Sequence, residues 1–220
     1  MEINAIIFGA TGHIGQGVLI ECLENPAVRT VLSIGRRPSG ATHDKLKEVE
    51  HHDFLDYSSI RGILSGYNAC FFCLGVSSVG MSEEKYHLIT HDYAVRAAET
   101  LCELNNEMVF CFISGAGADD TLKSRLMWAR VKGKTENSLK ALPFKAAYIF
   151  RPAYIQPVKG VKPSMAMYRI VRHFYPVLKL LFPKMATTTE EVGRAMIRVV
   201  RHGYEKKVLE NPDIIKAGRL

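Results

Sequence analysis

Apolar residues along this chain fall into short unbroken runs that alternate with longer stretches of helical period. Residues 3–8 form a brief apolar run ending at a glycine, which predicts a first strand. Residues 13–24 carry Ile14, Val18 and Cys22 at helical spacing, and Asn25-Pro26 stops them. Strands are expected at 28–34, weakly at 49–52, and at 68–74. Residues 82–105 read as one long helix with Tyr86, Ile89, Tyr93, Ala97, Leu101 and Leu104 on its apolar stripe. A strand at 108–113, a helix at 121–142 ended by Pro143, and a strand at 146–150 follow.

Strands alternating with helices of this length predict an α/β fold, a doubly wound parallel sheet of Rossmann type. The strands are nearly continuous in apolar residues, as expected for a sheet buried on both faces. Residues 1–155 are assigned to this core. Residues 156–220 are expected to add a small C-terminal helical lobe within the same structural domain. In that lobe 156–163 reads as a loop and 164–181 as a basic, aromatic, amphipathic stretch interrupted at Pro176. A helix at 187–202 has capping-box spacing at both Thr187/Glu190 and Thr188/Glu191, and 207–210 predicts a last short strand.

A length of 220 residues, with 47% apolar and 23% charged residues, is that of one globular domain. It excludes a disordered chain, a collagen-like repeat and a disulfide-stapled miniprotein. The formal charge of +7 suits an anionic small ligand, nucleic acid or an anionic membrane, without choosing among them. Five cysteines, an odd number in apolar surroundings, predict reduced thiols. Cys70 and Cys73 spell C-x-x-C inside an expected strand, where positions three apart face opposite sides and cannot share a metal or a disulfide. No basic segment precedes a long apolar run at the start, and no run has the length of a membrane span. The expected location is cytoplasmic.

The first strand runs into Gly9-Ala10-Thr11-Gly12-His13-Ile14-Gly15, a G-x-x-G-x-x-G turn between strand and helix. In that context Gly9 serves a tight turn, Gly12 a close approach to a pyrophosphate, and Gly15 close packing of the helix. The helix N-terminus presents unpaired N–H groups to phosphate oxygens. The second strand ends Ser33-Ile34-Gly35-Arg36-Arg37, with no acid for the ribose hydroxyls. Guanidinium groups there suit a 2′-phosphate, so NADP(H) is the expected cofactor and NAD(H) the second choice. The bland alternative is a pair of solvated loop arginines. In His52-Asp53-Phe54, Asp53 either accepts from an adenine amino group or caps a turn. Leu74-Gly75 lets the chain pass close to the adenosine ribose.

These residues resemble the extended and atypical short-chain dehydrogenases/reductases, and within them the Tat-interacting-protein-like oxidoreductases. Further matches are Phe72-Cys73-Leu74-Gly75, His91-Asp92-Tyr93, Ser114 with Gly117-Ala118-Asp119, Val131-Lys132-Gly133, Phe150-Arg151-Pro152 and Leu209-Glu210-Asn211, in family order over nearly the whole chain. The resemblance implies a dinucleotide at the C-terminal edge of the sheet, with Arg151 and Pro152 added to its contacts. It also implies a catalytic Ser and Tyr-x-x-x-Lys set. Ser114 and Lys132 match that set, but Trp128 stands at the tyrosine position. An indole N–H donates a hydrogen bond and supplies no proton at neutral pH, and losing a general acid costs about 10²–10⁴-fold in rate. Tyr154 and Tyr86 are the candidates to replace the hydroxyl.

Other constellations weigh less. Glu83, His87 and His91 stand at i, i+4 and i+8, but no fourth ligand is evident, and no metal is assigned. His51 and His52 are expected at the surface. Ser114 lies outside any G-x-S-x-G elbow. Residues 162–184 intersperse Lys162, Arg169, Arg172, Lys179 and Lys184 with methionines and aromatics. A substrate lid is favoured there over a protein-docking or oligomer surface, and a membrane-surface helix is favoured least. Dispersed basic residues without a recognised module argue against nucleic acid. Two functions follow: an NADP(H)-dependent oxidoreductase on a small, fairly apolar carbonyl substrate, or a catalytically weak NADP(H)-binding sensor or scaffold acting through a protein partner.

Overall fold

The computed structural model describes residues 1–156 and 186–219. Seven parallel strands form the central sheet: β1 (Ile3–Phe8), β2 (Val28–Gly35), β3 (Leu46–Glu50), β4 (Ala69–Phe72), β5 (Val109–Ile113), β6 (Ala146–Arg151) and β9 (Val208–Glu210). Their order is β3-β2-β1-β4-β5-β6-β9, so the chain winds outward from β1 and then returns to pair β4 on its other side. That reversal between β1 and β4 is the switch point at which α/β sheets open a crevice. A small parallel pair, β7 (Tyr154–Gln156) with β8 (Ala186–Thr188), lies outside this sheet and was not foreseen in the pattern.

Period-two alternation splits the strand residues between two cores. Ile3, Ala5, Ile7, Phe71 and Cys111 pack with α1 (His13–Glu24), α5 (Thr189–His202) and α6 (Asn211–Arg219). Ile6, Phe8, Cys70, Phe72, Phe110 and Phe112 pack with α3 (Tyr93–Leu104) and with Leu139 of α4 (Met127–Ala141). Cys70 and Cys73 fall on opposite cores, and all five cysteines are free thiols. The C-terminal elements therefore complete the sheet and one of its faces. The basic stretch at 162–184 lies outside the described residues. Among the described residues no helix is long and apolar enough to cross a membrane.

Several local expectations change or resolve. The long helix divides into α2 (Glu83–His87), a π turn (Leu88–Asp92) and α3. The helix expected from residue 121 begins at Met127, because Asp119 captures the donors ahead of it. Its carboxylate accepts from the backbone N–H groups of Thr121, Lys123 and Ser124, and Leu122 takes a left-handed φ of 63°. Of the two capping spacings, Thr188/Glu191 forms the box. His51 is buried, stacked 5.1 Å from Tyr57, rather than at the surface.

Phe72 sits among Phe8, Phe110 and Phe112 with ring centroids 5.2–6.1 Å away. Phe72→Ala is expected to cost about 3–5 kcal/mol, read as a lowered urea midpoint at unchanged slope.

Candidate functional site

The turn after β1 is shaped by contacts that leave no room for side chains. Gly9 has a φ of +79°, and a Cβ on it would lie 2.7 Å from the backbone of Leu74, just beyond β4. A Cβ on Gly15 would lie 2.1 Å from the Gly9 carbonyl oxygen. The Gly12 N–H closes the turn on that same oxygen at 2.9 Å. Gly12 caps α1 without a side-chain hydrogen bond, and the first turn of α1 holds no acid. Its leading N–H groups have no intrahelical partners, which is the arrangement that binds an anion. Around them, Ala10 and Ile14 pack on the core, and the Thr11 carbonyl accepts from Gln16. His13 Nε2 meets the Ile155 carbonyl of β7 at 3.3 Å, and burial holds its pKa below the usual histidine value.

Beside the turn, a cavity of about 210 Å³ opens between the ends of β2 and β4. Arg36, His52, Phe54, Leu74, Gly75, Val76, Ile89 and Tyr93 line it. Phe54 and Tyr93 approach with ring centroids 5.4 Å apart. Apolar walls with one cation at the mouth suit a flat ring joined to a phosphate. Arg36, Phe54, Leu74 and Gly75 were expected near the ligand from the sequence; Ile89 and Tyr93, expected on the apolar stripe, line the cavity too, and Tyr93 also packs on the core. Arg37 is exposed and is not among the lining residues. Asp53 Oδ1 accepts the Leu55 N–H at 3.0 Å, the turn-capping alternative.

A second group lies at the end of β5. Lys132 Nζ donates to the carbonyls of Ile113 (3.2 Å) and Ser114 (3.1 Å). Burial brings its pKa down to about 8, against the attraction of Glu136. The Trp128 ring packs over Gly117, where an added Cβ would lie 3.3 Å from it. Ser114 Oγ donates to Glu136 Oε1 at 2.5 Å. Glu136 is 0% exposed and receives Arg151 on both oxygens, Nε at 3.0 Å and Nη2 at 2.6 Å.

Arg151 also donates to Glu210 at 3.1 Å, and these carboxylates raise its pKa. The guanidinium expected among the dinucleotide contacts is thus engaged by a buried carboxylate. Pro152 uses its carbonyl to accept from Ala116 and so holds the loop after β5. Tyr86 is buried in α2, and Tyr154 lies in β7. Glu136 was missed, although its sequence signal was there: Trp128, Lys132 and Glu136 recur every four residues along one face of α4.

Removing Glu136 leaves Arg151 buried without its main partner. Glu136→Ala is expected to cost about 3–5 kcal/mol in chemical denaturation. Lys132 carries a separate pH signature. Between its lowered pKa of about 8 and the ordinary lysine value of 10.5, the unfolded chain binds the proton and the folded chain does not. Stability therefore rises with pH over that window, and Lys132→Met is expected to flatten the rise in denaturation midpoints measured from pH 7.5 to 10.

No protein-family model matches the chain. It is 31% identical over 233 residues to "Protein fmp52, mitochondrial" of Aspergillus fumigatus, covering 98% of each chain. It is 26% identical over 226 residues to "Protein fmp52-2, mitochondrial" of Aspergillus oryzae, covering 98% of this chain and 97% of that one. These names overturn the cytoplasmic location: lack of a secretory pattern bears on export and does not speak against mitochondria. Among solved structures, a short chain dehydrogenase family protein from Francisella tularensis superposes with a TM-score of 0.70 at 14% identity, covering 99% of this chain and all of that one. The Bordetella bronchiseptica enzyme WbmF in complex with NAD+ superposes at 0.69 and 14% identity, covering 98% of this chain and 77% of that one. The chain thus has the Rossmann fold of the short-chain dehydrogenases, and its identity to the Aspergillus fumigatus protein over the full length of both makes it a member of the fmp52 family.

Proposed function

We propose that this protein is an NADP(H)-dependent oxidoreductase acting on a small, fairly apolar carbonyl or the matching alcohol. The observation that carries the reading is Arg36 at the mouth of a ring-sized cavity beside the glycine turn, with no carboxylate among the lining residues. The bare backbone of Gly9, Gly12 and Gly15 fits a pyrophosphate. Arg36, assisted by Arg37, takes the 2′-phosphate, and Phe54, Leu74, Gly75 and Tyr93 take the adenosine. Lys132 holds the nicotinamide ribose. A bound nicotinamide supplies or accepts the hydride.

Ser114 binds the substrate oxygen, and its one proton already points to Glu136. Its lone pairs are therefore offered to a hydroxyl, which favours the alcohol form. Mitochondria are the proposed location, following the names of both relatives. One observation favours the second reading, a catalytically weak sensor acting through a protein partner or a second copy. The site pairs Trp128 at the tyrosine position with a serine whose proton is committed elsewhere.

Titration with NADPH and NADH tests the cofactor. Trp128, the chain's sole tryptophan, is expected to be quenched with energy transfer to the nicotinamide, more strongly by NADPH. Arg36→Ala is expected to weaken NADPH about tenfold, the equivalent of ~1.4 kcal/mol, and to leave NADH unchanged. Equal binding of the two by the unmodified chain would overturn the NADP(H) assignment. Turnover across a panel of alcohols and carbonyls supports the enzyme, and its absence despite tight NADPH binding supports the sensor.

A further inference from the structure

The π turn at Leu88–Asp92 does more than move two cavity residues. His87 and His91 stand one turn apart, with ring centroids 4.5 Å apart. In an unbroken α-helix Asp92, five residues beyond His87, would point away from it. A π turn closes i to i+5 contacts and brings Asp92 beneath both rings. His87 Nδ1 lies 3.2 Å and His91 Nδ1 2.8 Å from the same carboxylate oxygen, Asp92 Oδ1. Glu83, the third member of the i, i+4, i+8 series, is drawn away to Arg130 at 2.7 Å.

We propose that His87, His91 and Asp92 bind a divalent transition-metal ion of the Zn²⁺ class. Bonds of roughly 2.0–2.2 Å in tetrahedral geometry separate ligand atoms by about 3.3–3.6 Å. The two Nδ1–Oδ1 spacings are shorter than that, so small side-chain movements open the site. All three candidate ligand atoms lie within 4.8 Å of one another. The side chains are 28%, 12% and 38% exposed, so the ion has access and a fourth position remains for water. Two imidazoles and one carboxylate suit zinc better than calcium or magnesium, which take oxygen ligands.

The surroundings add one support and one obstacle. His91 Nε2 lies 3.2 Å from Ser138 Oγ on α4. When Nδ1 holds a metal, Nε2–H donates to that hydroxyl and fixes the ring. His87 Nε2 lies 3.1 Å from Lys134 Nζ, also on α4. That ammonium donates to the free nitrogen, which places the ring proton on Nδ1. Metal on Nδ1 requires the proton on Nε2, where it would oppose the ammonium. The exposed Lys134 must swing away, so it competes with the metal.

The test uses the full chain, stripped by chelator and passed through a desalting column, and needs no nucleotide. Zn²⁺ titration by calorimetry is expected to give one ion per chain. Co²⁺ is expected to give the visible absorption of a four-coordinate site. His91→Ala and, separately, His87→Gln are expected to weaken binding at least tenfold while thermal melting shows a folded chain. Lys134→Met is expected to tighten binding several-fold, and Glu83→Gln to leave it unchanged. Absence of stoichiometric binding, or binding that survives both histidine variants, overturns the proposal. Weaker binding in Lys134→Met overturns the competition.

Discussion

The chain reverses its winding between β1 and β4, and the two strand ends meet there closely enough to exclude a side chain. Gly9 lies against the backbone of Leu74, and Gly15 lies against Gly9. These contacts set the α1 N-terminus over the switch point and the segment after β4 beside it. The ring-sized cavity, the arginine at its mouth and the uncapped N–H groups all take their positions from that junction. A single methyl group at either glycine meets backbone, which cannot swing aside as a flexible side chain can.

A second constraint works at the end of β5. A carboxylate with no exposed surface must be fully paired, and Glu136 is paired by Arg151 and Ser114. The pairing joins α4 to β5 and β6 and reaches β9 through Glu210. It also determines what Ser114 offers a ligand, since a hydroxyl has one proton to give. Structural need and site chemistry therefore share one residue. A partly exposed Lys132, held under two carbonyls and lowered by burial, belongs to the same arrangement.

The π turn shows how one added residue redirects a helix. It brings Ile89 and Tyr93 to the cavity on one side and Asp92 under two histidines on the other. An apolar stripe counted at α-helical period reads through such a turn without registering it. The same limit applies at 121–126, where Asp119 holds the backbone that helical periodicity assigned to α4.

Much of this molecule was legible in order along the chain. Apolar runs, their glycine ends and the helical stripes marked the main strands, the parallel sheet and the glycine turn, because each depends on neighbours within one turn or one strand. Arg36 and Gly75 were legible as neighbours of the cavity for the same reason: they follow strand ends whose place in such a sheet is known. Tertiary structure decided what depended on partners far away in sequence. The pairing of Arg151 with Glu136 and Glu210, fifteen residues before it and fifty-nine after, came only with the fold. Elements α5, β9 and α6 became part of the core because α1 and β6 offered them apolar faces. Sequence alone determined which segments become the sheet strands and the main helices, and hence the fold class. Folding decided the pairing of buried charge, because the cost of leaving a charge unpaired is met only when distant segments come together.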